Sequence, residues 1–285
     1  MTDSPEAARR SYAEQLRSLT HMSSPALFAA FATVPCERFV GPGPWRMMGH
    51  DEYWTTFDAD PRNVYRNALI ALDEEKGINN GQPSMWAHFL DELGVRPNDQ
   101  VLHLGCGTGY YTAILAELTG PKGKVTAIEI DARLAEQARV ALGRWPQVVV
   151  VHGDGSIGPF EPADAIVASA GATHPQPCWL AALKPGGKLL FPLAPRNGPG
   201  AMALLTRGSA DSFDARLEFG TYFIAFSGAC DPEVGARLAK ALSHDRGASV
   251  KSLRRDVHEK NETCWLHGNG WCFSTREPVE AAPAT

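Results

Sequence analysis

A glycine-rich turn is the feature of the sequence that most directly suggests chemistry. Residues 101–110 read VLHLGCGTGY, so an apolar strand runs into three glycines at alternate positions and then into a helix. Glycine is needed at such a turn because the chain bends sharply and its backbone must approach a ligand closely. Twenty residues after Gly109, Glu129 ends the apolar run VTAIE. A carboxylate at the tip of that second strand is placed to accept hydrogen bonds from ribose hydroxyls.

The spacing of the glycines separates two classes of nucleotide ligand. It is GxGxG, and it lacks the third glycine of GxGxxG that packs tightly under a pyrophosphate. This favours a nucleoside without a pyrophosphate, and hence S-adenosylmethionine over NAD. The predicted cofactor contacts on the first two strands are Gly105, Cys106, Gly107, Thr108, Gly109, Tyr110, Glu129 and Ile130. Asp154, followed by Gly155, ends the third strand and is placed to hold the adenine amino group.

Strands and helices alternate around this turn. Short apolar runs separated by helical segments imply βαβ crossovers, and therefore a doubly wound, Rossmann-like α/β fold with a mostly parallel sheet. The predicted strands cover residues 101–104, 124–130, 148–152, 163–168 and 188–193. The predicted helices cover residues 5–31, 83–93, 110–118, 132–142 and 232–242. Ser24 and Pro25 resemble an N-cap and a first-turn proline that open a short helix to Thr33. Residues 201–207 and 215–226 alternate as an antiparallel C-terminal hairpin.

The sequence divides into three predicted regions. Residues 1–95 form a helical, substrate-side region that contains an irregular aromatic insertion at 41–63. Residues 96–228 form the core that binds S-adenosylmethionine, and residues 229–285 form a C-terminal extension packed on that core.

Composition excludes several classes of protein. The 285 residues carry 27 basic and 32 acidic side chains, a formal net charge of −5, which disfavours a nucleic-acid binder. No apolar run reaches the ~18 residues that a membrane span needs. The six cysteines are scattered and resemble reduced thiols more than a disulfide framework. We therefore expect a cytoplasmic protein with no nucleic-acid or membrane partner.

Several short motifs, in order along the chain, resemble one family. They are VPCERFV at 34–40, YRNAL at 65–69, GQPSM at 81–85, GTGYYTA at 107–113, GDG at 153–155 and FIAFSG at 223–228. Together they resemble motifs of the protein-L-isoaspartate O-methyltransferases, which are class I S-adenosylmethionine-dependent methyltransferases. The resemblance implies methylation of a carboxylate, S-adenosylhomocysteine as the product, and no metal. A carboxylate is already ionised at neutral pH, so this chemistry demands no general base.

One departure from that family falls in the active site. Gly81 stands where the family carries its active-site serine, and Asn79 and Asn80 precede it. The hydroxyl is therefore absent at this position, and Asn80 and Ser84 are the nearby candidates to replace it. We predict a catalytic segment of Asn80, Gly81, Gln82 and Ser84, with the alternative that residues 79–81 are only a turn before a helix.

Further side chains are candidates for binding the acceptor. Asn79 supplies an amide, and Pro83 opens a helix whose N-terminus favours a nearby anion. His174 follows the fourth strand, at the edge of the sheet where ligands bind. Tyr53 and Trp54 either form a lid over the substrate or pack on the sheet.

The C-terminal extension contains histidines and cysteines in an unfamiliar pattern. His258, Cys264, His267 and Cys272 have the spacing H-x5-C-x2-H-x4-C, which matches no paired zinc-ligand unit. Alternating aromatic residues around them predict a buried hairpin instead, so we expect no metal.

Three functional hypotheses follow from these patterns. The first is a methyltransferase of the isoaspartate type whose acceptor is a carboxylate of a protein, a peptide or a small molecule. The second keeps the fold and the cofactor but takes a different acceptor, either a small metabolite or a biosynthetic peptide. The third is a non-catalytic adaptor that binds the nucleoside. The sequence does not predict an oligomeric state.

Overall fold

The computed structural model describes residues 4–49, 52–208 and 212–278. The chain divides into two compact units, Met1–Gly153 and Asp154–Thr285, which are described in turn. The division into three regions inferred from the sequence stays a prediction. Within the described residues, no helix is both long enough and apolar enough to cross a bilayer.

The first unit contains five α-helices, two single-turn 3-10 helices and seven strands among its described residues. The α-helices are α1 (Pro5–Thr20), α2 (Pro25–Thr33), α3 (Pro83–Leu93), α4 (Tyr110–Thr119) and α5 (Ala132–Ala141). The 3-10 helices are Cys36–Arg38 and Pro61–Val64. The strands are β1 (Arg46–Met48), β2 (Tyr53–Thr55), β3 (Ala71–Asp73), β4 (Ile78–Asn79), β5 (Gln100–Leu104), β6 (Lys124–Glu129) and β7 (Val148–His152).

Polar caps and glycine set the helix boundaries. The Ser24 hydroxyl accepts the Leu27 N–H at 3.2 Å, and Pro25 begins α2. Asp131 caps α5, and Gly94 ends α3 in the left-handed conformation. These signals are local, and the predicted bounds of α3 are confirmed.

The strands that lead to the glycine turn are parallel. β5 pairs with β6, and β6 pairs with β7, both in parallel register. The carboxyl ends of the three strands therefore lie at one edge. α4 starts directly after the glycines, and every residue of it except Glu117 is buried. The helix thus fixes the turn against the core of this unit.

The aromatic segment 41–63 differs from its prediction. It contains an antiparallel hairpin, β1 with β2, and the side chains of Trp45 and Met47 are buried. The prediction of an irregular insertion was wrong for this part. Phe57, by contrast, is fully exposed. Each of the two strands is only three residues long, which is too short for a pattern of alternation to reveal.

The second unit contains two α-helices and seven strands among its described residues. They are α6 (Pro177–Ala182), α7 (Pro232–Asp245), β8 (Ala163–Ala168), β9 (Leu183–Leu193), β10 (Gly200–Arg207), β11 (Phe213–Thr221), β12 (Ser252–Arg254), β13 (Cys264–Gly268) and β14 (Trp271–Ser274).

A parallel pair in this unit continues into antiparallel strands. β8 and β9 are parallel, whereas β9, β10, β11, β12, β14 and β13 follow one another in antiparallel register. The predicted α/β fold, with parallel central strands and an antiparallel C-terminal hairpin, is confirmed. The C-terminal extension adds three strands to that hairpin. Large buried rings, among them Trp179, Phe191 and Phe273, form the core of the unit.

Candidate active site

The three glycines of the turn have different roles. All three lie in the left-handed region, with φ of +69° at Gly105, +56° at Gly107 and +94° at Gly109. A Cβ built on Gly109 would lie 2.7 Å from the Leu142 side chain, so this glycine is needed for close packing. A Cβ built on Gly105 would meet no atom within 4 Å. The first glycine therefore leaves backbone open for a ligand to approach.

Glu129 is tied to this turn by its side chain. Its Oε2 accepts the Gly107 N–H at 2.7 Å, and its Oε1 accepts the Asp131 N–H at 3.0 Å. The residue is only 6% exposed. A carboxylate has about four lone-pair sites, so each oxygen keeps capacity for one further donor. The group is therefore fixed and still able to accept hydrogen bonds from a diol.

Open backbone beside a fixed carboxylate fits the nucleoside part of S-adenosylmethionine. The backbone of the turn is pinned because Gly105 and Cys106 both donate to the Ile128 carbonyl, at 2.8 and 3.1 Å. Ile130, directly after Glu129, is about half exposed. This arrangement is consistent with an apolar surface next to a ribose-binding carboxylate.

The side chains of three other predicted cofactor contacts are buried in the protein. Cys106 and Thr108 are buried, and burial raises the pKa of the Cys106 thiol, which is therefore unreactive. The Tyr110 ring packs against Phe31 and Phe39, with centroid distances of 6.4 and 5.8 Å. Any contact that Tyr110 makes with a cofactor must therefore come from its backbone.

The predicted acceptor segment is a hydrogen-bonded turn before α3. The Asn79 side chain accepts the Gly81 N–H at 2.9 Å. Asn80 pairs with Ile70 twice, since its N–H donates to the Ile70 carbonyl and its Oδ1 accepts the Ile70 N–H at 2.6 Å. The Asn80 amide oxygen thus already has a backbone partner, which argues against Asn80 as a substitute for the serine hydroxyl.

Asn67 holds the start of α3, and sequence reasoning did not assign it this role. Its Oδ1 accepts both the Gln82 Nε2 and the Ser84 N–H, each at 2.9 Å. Pro83 between them is buried. The Gln82 amide therefore has a structural partner on the chain. In the sequence, the one feature that drew attention to Asn67 was its place in the YRNAL motif.

Trp86 fills the space beside Gly81, and this too was missed. A Cβ on Gly81 would lie 2.9 Å from Trp86 Cδ1 and closer still to Nε1. Trp86 is 2% exposed, and its ring lies on that of Tyr111, with the centroids 5.1 Å apart. The Tyr111 hydroxyl donates to the Gly81 carbonyl at 3.3 Å. Because Tyr111 is the second residue of α4, this cluster links the acceptor segment to the helix that follows the glycine turn.

The two predicted lid residues have different surroundings. Burial raises the pKa of Tyr53, and a hydrogen bond with Asn79 opposes that rise, so the Tyr53 hydroxyl reaches the acceptor segment. Trp54 lies opposite Met47 in the β1–β2 hairpin and is 41% exposed. A lid role for this pair stays a prediction.

The remaining candidates belong to the second unit. Asp154 Oδ1 accepts the N–H and the hydroxyl of Ser156, at 2.8 and 2.7 Å, and the Gly155 carbonyl accepts the Trp179 Nε1–H at 2.7 Å. His174 stacks on Trp271, with centroids 5.4 Å apart and planes within 7°. Burial lowers the pKa of His174, which keeps the ring neutral at pH 7. Their roles toward adenine and acceptor stay predictions.

The sequence matches known proteins over most of its length. The family model for protein-L-isoaspartate(D-aspartate) O-methyltransferase matches residues 11–230. A protein-L-isoaspartate O-methyltransferase of Methanopyrus kandleri is 33% identical over 199 residues, 67% of this chain and 78% of its own length. Protein-L-isoaspartate O-methyltransferase 1 of Rhodopseudomonas palustris is 30% identical over 86% of this chain and 92% of its own length.

Solved structures agree with the fold. One protein-L-isoaspartate O-methyltransferase covers 82% of this chain and 69% of its own, with a TM-score of 0.65 and 24% identity. A protein of Plasmodium falciparum described as a putative member, in complex with S-adenosyl-L-homocysteine, covers 77% of this chain and 98% of its own, with a TM-score of 0.61 and 15% identity. With the sequence matches, these findings place the chain in a family of S-adenosylmethionine-dependent methyltransferases, the protein-L-isoaspartate(D-aspartate) O-methyltransferase family.

Proposed function

We propose that this protein transfers the methyl group of S-adenosylmethionine to the free carboxylate of an isoaspartyl residue in a protein or peptide. The observation that carries the proposal is the hydrogen bond from the Gly107 N–H to Glu129, beside the open backbone of Gly105. The match of the family model, which includes the acceptor segment, supports the choice of acceptor.

Residues of the first unit hold the cofactor in this proposal. Glu129 accepts the ribose hydroxyls, and the backbone from Gly105 to Gly107 lies against the ligand. When bound, the cofactor supplies an electrophilic methyl group on a sulfonium. The protein holds the methyl group and the acceptor in the correct relative position. Such positioning can lower the activation barrier by about 7–11 kcal/mol, so it can supply much of the rate.

The acceptor needs to be held in line with the methyl group, and no base is required. A carboxylate is ionised near neutral pH, so proton removal does not limit the step. In our proposal the Trp86 Nε1–H replaces the missing serine hydroxyl as a hydrogen-bond donor to the acceptor. The absence of a Cβ at Gly81 supports this role, because it lets the indole nitrogen lie directly against the turn. The start of α3 favours the negative charge nearby.

The partner in this proposal is a protein or peptide damaged at an aspartyl or asparaginyl site, and the compartment is the cytoplasm. All six cysteines are free, which supports a reducing compartment.

The test is methyl transfer from radiolabelled S-adenosylmethionine to an isoaspartyl peptide. The matched control is a peptide of the same sequence with a normal aspartyl residue. We expect a base-labile methyl ester on the isoaspartyl peptide alone. Binding of S-adenosylhomocysteine without transfer to that peptide would overturn the proposed acceptor. Labelling of other carboxylates would then support a different substrate, and no labelling of any acceptor would support an adaptor.

A further inference from the structure

Four metal-binding side chains meet in the C-terminal extension, outside the candidate active site. His258, Cys264, His267 and Cys272 each offer one donor atom, and these atoms all lie within 4.8 Å of one another. We call these four residues the His/Cys cluster. The match to the family model ends at residue 230, so the cluster lies outside the residues that the model covers.

The hairpin of β13 and β14 explains how the cluster forms. His267 on β13 lies directly opposite Cys272 on β14. Cys264 is three residues before His267, so regular alternation would put the two side chains on opposite faces of the strand. The register shifts between Cys264 and Leu266, however, and such a bulge reverses the alternation. Cys264 and His267 can therefore face the same side, which the spacing in the sequence did not reveal.

Hydrogen bonds orient two members of the cluster toward the others. His258 Nδ1 lies 2.9 Å from the Asp256 carbonyl, so this nitrogen carries the proton and Nε2 keeps its lone pair. That Nε2 lies 3.4 Å from Cys264 Sγ. The Asn261 N–H lies 3.4 Å from the same sulfur. An imidazole held by a backbone carbonyl is typical of metal-ligating histidines.

Two buried polar atoms at the cluster have no hydrogen-bond partner in the part of the chain that the structure describes. One is His267 Nδ1, and the other is Arg254 Nη1. Arg254 lies opposite Cys272 in the β12–β14 pair. Buried nitrogens are rarely left unpaired, because each costs about 1–3 kcal/mol. A cation bound to His267, with a thiolate at Cys272 next to the guanidinium, would satisfy both atoms.

We propose that the His/Cys cluster binds one structural zinc ion, with two thiolates and two neutral imidazoles as ligands. Two sulfur and two nitrogen donors are a tetrahedral zinc set, and their charge balances that of Zn²⁺. Ligands at zinc bond lengths stand about 3.3–3.8 Å apart in a tetrahedron. His258 Nε2 and Cys264 Sγ already lie 3.4 Å apart, and all four donors lie within 4.8 Å of one another, so small side-chain movements would complete the tetrahedron. Binding releases the two thiol protons to solvent and forms two Zn–S and two Zn–N bonds. Four protein ligands leave no open position, so the ion is structural.

Zinc content of the full-length chain tests the proposal. The protein is incubated with zinc, desalted and analysed by mass spectrometry for metal and for protein. We expect about one zinc ion per chain in the unaltered protein. We expect a loss of zinc of about tenfold or more in Cys272→Ser and in His258→Ala. The matched control is Cys230→Ser, which lies outside the cluster and should keep its zinc.

A second measurement uses the unaltered protein, so it does not require that a variant folds. Cys272 is fully buried, so its substitution could unfold the hairpin as well as remove a ligand. Cobalt bound to the unaltered chain should give the visible bands of a tetrahedral ion and a sulfur-to-cobalt charge-transfer band. Absence of both zinc and these bands would overturn the proposal. A disulfide between Cys264 and Cys272, detected as a mass lower by two hydrogens, would also overturn it.

Discussion

The indole of Trp86 occupies the space that a side chain on Gly81 would need. A Cβ on Gly81 would lie 2.9 Å from Trp86 Cδ1, and the φ of +76° at Gly81 is itself unfavourable for other residues. The residue at position 81 can therefore carry no side chain while Trp86 keeps this place. Trp86 stands one turn into α3, so in our proposal its indole takes the place of the side chain that position 81 lacks.

Substitution of Gly81 by serine should destabilise the protein without improving methyl transfer. We expect Gly81→Ser to cost about 2–4 kcal/mol, from both the backbone strain and the overlap with Trp86. Gly77→Ser is the matched control, because Gly77 also has positive φ, +68°, but a Cβ there would meet nothing within 4 Å. It should cost only about 1 kcal/mol. Urea unfolding of both variants measures the difference. Equal losses would show that Trp86 does not restrict position 81.

Substitution of Trp86 by phenylalanine separates the donor role of the indole from its packing role. Trp86→Phe keeps an aromatic ring on Tyr111 but removes the Nε1–H. We expect the KM for an isoaspartyl peptide to rise about 10-fold, as for the loss of one hydrogen bond to a charged group, while the Kd for S-adenosylhomocysteine stays unchanged.

Trp145→Phe is the control for that variant. Its Nε1–H donates to Glu117 at 2.8 Å, so the substitution also removes an indole hydrogen bond, at another site in the first unit. It should lower stability without changing the KM for the acceptor. An unchanged KM in Trp86→Phe would exclude Nε1 as the donor.

Neutralising Glu129 should weaken binding of the cofactor. Glu129→Gln replaces a carboxylate that accepts two backbone N–H groups and, in our proposal, the ribose hydroxyls. Loss of hydrogen bonds to a charged group is worth about 1.5–3 kcal/mol, so calorimetry should give a Kd for S-adenosylhomocysteine about 10- to 100-fold higher. Glu136→Gln, on the exposed face of α5, is the control and should bind normally. Normal binding by Glu129→Gln would contradict the assignment.

Elements with local signals could be predicted from the sequence. Pro83 and Gly94 mark the two ends of α3, and the structure gives the predicted bounds. The strands β7 and β8 also have their predicted bounds. β8 is buried and appears as a continuous apolar run, and β7 is a run of four valines, which favour strands even where they are partly exposed. The glycine turn and Glu129 were found for the same reason, since both lie next to such a strand.

Contacts between distant segments could not be predicted in this way. Nothing in the sequence around Trp86 reveals that this residue lies against Gly81 and Tyr111. The spacing of Cys264 and His267 did not reveal their common face for a similar reason, since the bulge in β13 reverses the alternation of side chains between them. Both features arise from packing and register, which a one-dimensional pattern does not contain.

Asp245 should make the stability of the second unit depend on pH in the acid range. Its carboxylate accepts the Trp265 Nε1–H at 2.8 Å and the Gly247 N–H at 2.9 Å, and it also binds Ser249, so it ties the end of α7 to β13. Partial burial raises the pKa of Asp245, but these hydrogen bonds outweigh burial and lower it to about 2. Because the folded pKa lies below the unfolded value of 3.8, the stabilisation is present above about pH 4 and is lost as the pH falls toward 2.

The variant Asp245→Asn should therefore be less stable than the unaltered protein at pH 7. The gap in free energy of unfolding should narrow as the pH falls from about 4 to about 2, because the protonated carboxyl and the amide are then both uncharged. Urea unfolding at a series of pH values measures this gap. A gap that stays constant across that range would mean that the charge of Asp245 does not stabilise the fold, and that its hydrogen bonds to Trp265 and Ser249 act as neutral contacts.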